Sequence, residues 1–226
     1  MAVVCGVPLA GCSVLPDPPA PQIYRVRPLA DDAPSKRLIR KRLIVDIPTA
    51  SESLDTDRIA LIRDRTRFDY YANSLWTDRV PLLLQGLLVE AFENDGSIAE
   101  VGRDAQTLTP DYLLETEIRD FEARYTGGGQ QTPSVVVTLD FSLVKMPDHQ
   151  MIGRTLITES SSAARNSVDS VVEAFDVAMG KTLVRSIAWT TGTMTRAAGR
   201  SHSHAAINRE APGGETAQPD RPTALR

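Results

Sequence analysis

The chain holds 226 residues, 42% hydrophobic and 24% charged, so it is a globular sequence long enough to bury roughly two-thirds of its unfolded surface without covalent staples. Its formal charge of −4 argues against nucleic acid as a partner, because duplex binding wants a basic face. The two cysteines, Cys5 and Cys12, both sit at the extreme N-terminus, which excludes a disulfide framework and a thiolate metal site further on, and no apolar run reaches the roughly 18 residues of a membrane-spanning helix.

Residues 2–11 form a short apolar stretch that ends in small residues and has the length of a signal-peptide core. Leu9-Ala10-Gly11-Cys12 resembles the bacterial lipobox. The resemblance implies that residues 1–11 are cleaved and that Cys12 becomes an N-terminus carrying a diacylglyceryl thioether, with acyl chains such as palmitate. No Lys or Arg precedes the apolar stretch, which a start codon further upstream would explain. The competing reading is a frayed N-terminus with incidental cysteines. The prolines that follow, Pro16, Pro18, Pro19, Pro21, Pro28 and Pro34, favour the lipobox, because they make a poorly helical, extended tether of residues 12–21 and beyond. By resemblance to enterobacterial sorting signals, Ser13 beside the lipidated position implies export to the outer membrane.

Tyr24 to Arg27 alternates and predicts a first strand; Leu43 to Ile47, stopped by Pro48, predicts a second. Arg58 to Arg63 and Arg67 to Tyr71 predict two more, joined by a turn at Asp64 to Thr66. A helix is expected from Asp78, with Asp78 as N-cap and Pro81 at the third helical position. Val80, Leu83, Leu84, Leu87, Leu88, Ala91 and Phe92 give it one apolar face, and Gly96 suits a left-handed C-terminal cap. Tyr112 to Tyr125 predicts a long strand whose inward phase flips, which a bulge near Arg119-Asp120 reconciles. Gly127 to Gly129 is a hairpin loop, and Val135 to Leu143 alternates strictly. Pro147 to Gln150 turns into a last strand around Ile152 to Thr158. A second helix is expected from Ser167, with Val171, Phe175, Met179 and Leu183 on its buried face. Beyond about Met194 the apolar pattern stops, so residues 194–226 are expected to be disordered. The expected fold is one α+β domain over residues 22–193, a mainly antiparallel sheet with two helices packed on it.

The motifs of catalysis are incomplete. Gly180-Lys181-Thr182 lacks the glycine a phosphate loop needs five residues earlier, where Phe175 stands. His149 sits in a turn without a metal-ligand companion, and no nucleophile elbow exists to pair with it. His202 and His204 fall in the expected tail. Glu115 and Glu117 share the polar face of a strand, either as paired carboxylates or, on the better reading, as a solvated surface. The basic run Lys36, Arg37, Arg40, Lys41 and Arg42 fits either an anionic partner or a solvated strand edge, and the edge is favoured. Trp76 fits either a partner anchor or a contact that closes the first helix against the sheet, and the contact is favoured. No catalytic residue, metal or cofactor is assigned, and Cys12 is the one site residue.

Leu54-Asp55-Thr56-Asp57-Arg58-Ile59-Ala60-Leu61, Tyr70-Tyr71-Ala72-Asn73, Trp76-Thr77-Asp78 and the run from Leu83 to Gly96 resemble the ABC-type transport auxiliary lipoproteins, which accompany MCE-domain lipid transporters. The resemblance implies a non-enzymatic accessory role, lipid-anchored in the outer membrane and facing the periplasm. The implied partners are an MCE-domain protein with its ABC permease and ATPase; phospholipid and a second copy of the chain are further candidates. The alternative is a structural or assembly lipoprotein of another envelope complex that handles no lipid.

Overall fold

The computed structural model describes residues 20–27, 38–104, 109–126 and 131–207, with the backbone alone from 200 on. In chain order the elements are β1 (Gln22–Tyr24), β2 (Ile39–Val45), β3 (Thr49–Ala50), β4 (Arg58–Arg63), β5 (Arg67–Trp76), α1 (Val80–Asp95), β6 (Ile98–Gly102), β7 (Tyr112–Tyr125), β8 (Ser134–Lys145), β9 (Gln150–Ser162) and α2 (Val168–Ile207).

The strictly alternating segments form the spine of the sheet. β7 pairs antiparallel with β8 from Tyr112 opposite Lys145 to Arg124 opposite Ser134, and β8 pairs with β9 along its whole length. The other edge of β7 is shared end to end by three short parallel strands: β2 at Tyr112 to Leu114, β3 at Glu117 to Ile118, and β4 at Glu122 to Tyr125. From there the sheet divides. One limb runs from β2 to β6, and the other from β4 through the antiparallel hairpin to β5 and on to β1. The long ladders are antiparallel and the parallel ones short, so the α+β expectation of a mainly antiparallel sheet holds. Both helices pack on this sheet and touch each other, and their apolar faces merge with it in one core.

The bulge lies where the phase flip requires it. The register shifts between Ile118 and Asp120, so Arg119 is left over. Leu114 and Ile118 before it, and Phe121, Ala123 and Tyr125 after it, are therefore all buried. The Phe121 N–H donates to Glu122 Oε2 at 2.8 Å, and Arg124 joins Glu122 to Asp120 across the distortion.

Several boundaries differ from expectation for identifiable reasons. β1 ends at Tyr24 because β5 ends at Trp76 and offers no further partner; Val26 is buried beyond the strand. α1 is capped at Arg79 without a side-chain bond, not at Asp78, and Pro81 takes the second helical position. The Val80 N–H instead donates to the Thr56 carbonyl at 3.0 Å, so a loop serves as the cap. The stop is as expected: Gly96 has φ 65° and its N–H reaches Phe92 O at 3.3 Å. β3, two residues long, is too short to show in the sequence, and β6 follows α1 where no strand was expected. α2 does not end near Met194. It continues to Ile207, because Ala197, Ala198, Ala205 and Ala206 favour helix and no proline interrupts it. The expectation of disorder from 194 is thus corrected as far as Ile207, and residues 208–226 lie outside the described residues. Met194 is still the last apolar side chain described as buried. Near this point β9 approaches the helix closely: a Cβ added to Gly153 would meet Thr193 Cγ2 at 3.0 Å and Trp189 Cζ2 at 3.3 Å.

Candidate functional site

Cys12, Lys36, Arg37 and Gly127 to Gly129 lie outside the described residues. What the structure places is the segment from Ala20 to Arg27. The Tyr24 hydroxyl lies 3.0 Å from Asp169 Oδ1, and the Arg27 N–H donates to Asp176 Oδ1 at 2.6 Å. Two acids one heptad apart on α2 therefore hold the chain just after β1. Burial pushes the Tyr24 hydroxyl up from its ordinary pKa, and Asp169 adds to the shift. Burial also raises the Asp176 carboxyl, against the opposing pull of the Arg27 N–H.

The two strand glutamates fall on the sheet face with a charge ladder. Glu115 is exposed, while Glu117 pairs with Arg119 at 2.7 Å. Arg119 reaches Asp140 at 3.4 Å, and Arg154 grips Asp140 through Nε at 2.9 Å and Nη2 at 2.6 Å. The Arg154 bonds hold the Asp140 carboxyl below the usual carboxylate range. A carboxylate fixed in this way is a poor proton donor, so the ladder reads as sheet support. It borders a cleft of about 290 Å³ between Asp46, Thr49, Glu117 and Ser142.

The remaining candidates are dispersed. His149 is exposed in the β8–β9 turn at φ 50°. His202 and His204 lie on the last turns of α2. Gly180-Lys181-Thr182 is in mid-helix, where Thr182 Oγ1 donates to Ala178 O at 3.0 Å, so no strand-to-helix phosphate loop exists there. Lys41 pairs with Asp111 at 2.8 Å and Arg42 with Glu100 at 3.5 Å; β2 lies between β6 and β7, so this part of the basic run belongs to an interior strand tied to its neighbours and not to the strand edge expected. Trp76 is buried, with ring contacts to Phe121 at 5.8 Å and Phe175 at 5.1 Å. It thus joins the sheet to α2, where a contact with the first helix was expected.

The interior between sheet and helices is filled by Phe92, Phe121, Phe141 and Phe175, all at most 1% exposed. The clefts lie at the surface. One of about 610 Å³ follows the strand from Ile98 to Gly102, with Glu93 and Arg103 beside it. Among the described residues no three His, Cys, Asp or Glu side chains are grouped to hold a metal ion, and no helix is long and apolar enough to cross a membrane. Sequence reasoning passed over the β4–β5 hairpin tip. Its signal was present as Arg63, Arg65 and Arg67 followed by Phe68.

The model of the family described as ABC-type transport auxiliary lipoprotein component matches residues 25–208. A protein of Bradyrhizobium diazoefficiens, described as uncharacterized protein bll6063, is 27% identical over 175 residues, covering 76% of this chain and 46% of that protein. The chain therefore spans about half the length of this curated relative. Among solved structures, protein XCC0632 from Xanthomonas campestris superposes with a TM-score of 0.71 at 24% identity, over 78% of this chain and 99% of that one. An uncharacterized protein gives 0.59 at 16% identity, over 75% and 97%. At these identities the two structures support the fold alone.

Proposed function

We propose, from the fact that the chain belongs to the ABC-type transport auxiliary lipoprotein component family, that it works as the membrane-tethered binding subunit of a lipid-transporting ABC system. In this reading Cys12 carries the lipid, the anchor sits in the outer membrane, and the domain faces the periplasm. Its partner is the MCE-domain protein fed by the permease and ATPase. The observation that carries the reading is the extent of the family match, which runs from the residue after β1 to the end of α2. The filled core adds support for surface binding, because it leaves the interior to side chains and not to an acyl chain. The charge ladder around Asp140 supports binding over turnover, since its carboxylate is committed to two guanidiniums.

Tethering has a physical purpose in such a role. It converts an encounter from dilute periplasm into one at the effective concentration set by a short linker. Two or more acyl chains give stable anchoring at about 0.8 kcal/mol per buried CH₂. The test is complementation of the envelope defect of a deletion strain, scored by detergent sensitivity. Cys12→Ala is expected to abolish or weaken function, while His149→Ala, Glu115→Gln and Glu117→Gln leave it intact. A folded, partner-binding His149→Ala that is inactive contradicts this reading and restores an enzymatic one. Full complementation by Cys12→Ala contradicts the anchor.

A further inference from the structure

β1 runs parallel to β5, with Gln22 opposite Ser74 and Tyr24 opposite Trp76. The chain before Gln22 therefore comes from the side on which β5 begins, where the β4–β5 hairpin turns. That turn is tight: the Thr66 N–H donates to Arg63 O at 3.2 Å, and Asp64 and Arg65 have φ 52° and 67°. Two consecutive left-handed residues make a hairpin turn that suits Asn and Gly. Arginine at the second position is a poor choice for the turn itself.

The tip is basic and uncovered. Arg63, Arg65, Arg67 and Phe68 are all exposed, Phe68 by 38%. The acids of this end are engaged by neighbours. Asp64 faces Arg67 at 3.6 Å, Asp120 and Glu122 are held by Arg124, Asp69 Oδ1 accepts the Tyr70 N–H, and Asp169 lies beside the Tyr24 hydroxyl. Arg65 has no ionic or hydrogen-bonded partner among the described residues. Arg63 sits 6.0 Å from the Tyr125 ring, and the Tyr125 hydroxyl donates to Asn166 Oδ1 at 2.9 Å, which brings exposed Arg165 and the positive N-terminal end of α2 to the same side.

We infer that this hairpin tip is the surface by which the domain rests on anionic phospholipid headgroups beside its own anchor. The inference rests on the reading of Cys12 as the lipidated residue. Chain length supports it. Ten residues separate Cys12 from Gln22, a reach of about 31 Å at the extended rise of proline-rich chain. The hairpin tip lies about 13 Å back along the sheet, because a bulge takes up three residues of β5 and brings Ser74 level with the stretch between Arg58 and Ala60, four residues of β4 from Arg63. The reach exceeds that distance, so a tether running past the tip is long enough to let the arginines come within a Debye length of the bilayer, about 8 Å at physiological ionic strength. Phe68, in edge contact with Tyr70 at a centroid distance of 5.3 Å, offers an apolar side chain next to those charges.

The test uses the full chain carrying Cys12→Ser, so that no acyl chain contributes, in sedimentation with vesicles. Vesicles of phosphatidylcholine with about one-third phosphatidylglycerol should bind it, and pure phosphatidylcholine should not. Binding should weaken as salt is raised. Arg65→Gln should lower the partition about five-fold, and adding Arg67→Gln about five-fold again. Asp64→Asn should raise it, a gain that a folding defect does not imitate. Equal binding to both vesicles, no binding to either, or indifference to all three substitutions overturns the inference. The anchor is read separately from the intact mass of the wild-type protein extracted from membranes: a missing acyl adduct overturns the anchor while leaving the vesicle result to judge the hairpin.

Discussion

The Arg27 N–H donates to Asp176 Oδ1 at 2.6 Å, so the third residue beyond β1 is fixed to the third turn of α2. With the Tyr24 hydroxyl beside Asp169, this joins the chain that arrives from the N-terminus to the longest element of the fold.

Asp176 sets a pH-dependent expectation. Its carboxyl is raised chiefly by burial, so the folded state disfavours the charged form. For an acid with a raised folded pKa, the favourable contribution is complete below the unfolded pKa and is lost as pH rises through the folded one. Asp176→Asn keeps the acceptor oxygen without the charge. Its stability relative to wild type should rise from mildly acidic to neutral pH. Asp176→Ala, which leaves the Arg27 N–H unmatched, should cost about 1–3 kcal/mol. Urea titrations across that pH range check both.

Leu88 is 0% exposed in the sheet-facing side of α1, whereas Leu82 is 44% exposed. Leu88→Ala should therefore cost about 2–5 kcal/mol, and Leu82→Ala should fall within about 0.5 kcal/mol of wild type. Equal losses at the two positions in chemical denaturation would show that the outer side of α1 is also packed.

Asp140 gives the opposite pH dependence. Arg154, then Arg119, hold its carboxyl below the usual range. An acid with a depressed folded pKa adds stability above its unfolded pKa and loses it as pH falls through the folded one. The stability gap between wild type and Asp140→Asn should accordingly be present at neutral pH and close in strong acid. A gap that stays constant with pH contradicts the ladder as drawn.

The sequence pattern showed the sheet spine, the bulge and the cores of both helices, because each rests on a periodicity that burial enforces. Val135 to Leu143 alternates since α2 covers one face of β8, and the phase flip at Arg119 was readable from the same alternation in β7. What stayed hidden has no such period. β3 is two residues long and exists because β7 has an open edge at Glu117 and Ile118. The Thr56 carbonyl that caps α1 is a tertiary contact with no local signature. The end of α2 was misplaced because apolar pattern reports packing, and from 195 on the helix continues on backbone propensity. The arginine-rich turn was visible as letters, but its position on the side from which the chain enters β1 follows only from the parallel pairing of β1 with β5.

That helix extension yields a direct check. Removal of residues 196–226 should leave the melting temperature close to that of the full chain, since Met194 is the last apolar side chain described in the core. Far-UV circular dichroism should still lose the signal of about a dozen helical residues. A drop of more than a few degrees would place residues 196–207 in contact with the domain.

The central claim is that this family member serves transport by holding a partner at the membrane. The most direct measurement is co-purification of the full chain from crosslinked envelope membranes, with the recovered proteins quantified by mass spectrometry. The account predicts enrichment of an MCE-domain protein together with its ABC permease and ATPase. Recovery of the chain with a different envelope complex, or with no protein above a control strain lacking it, would contradict that claim.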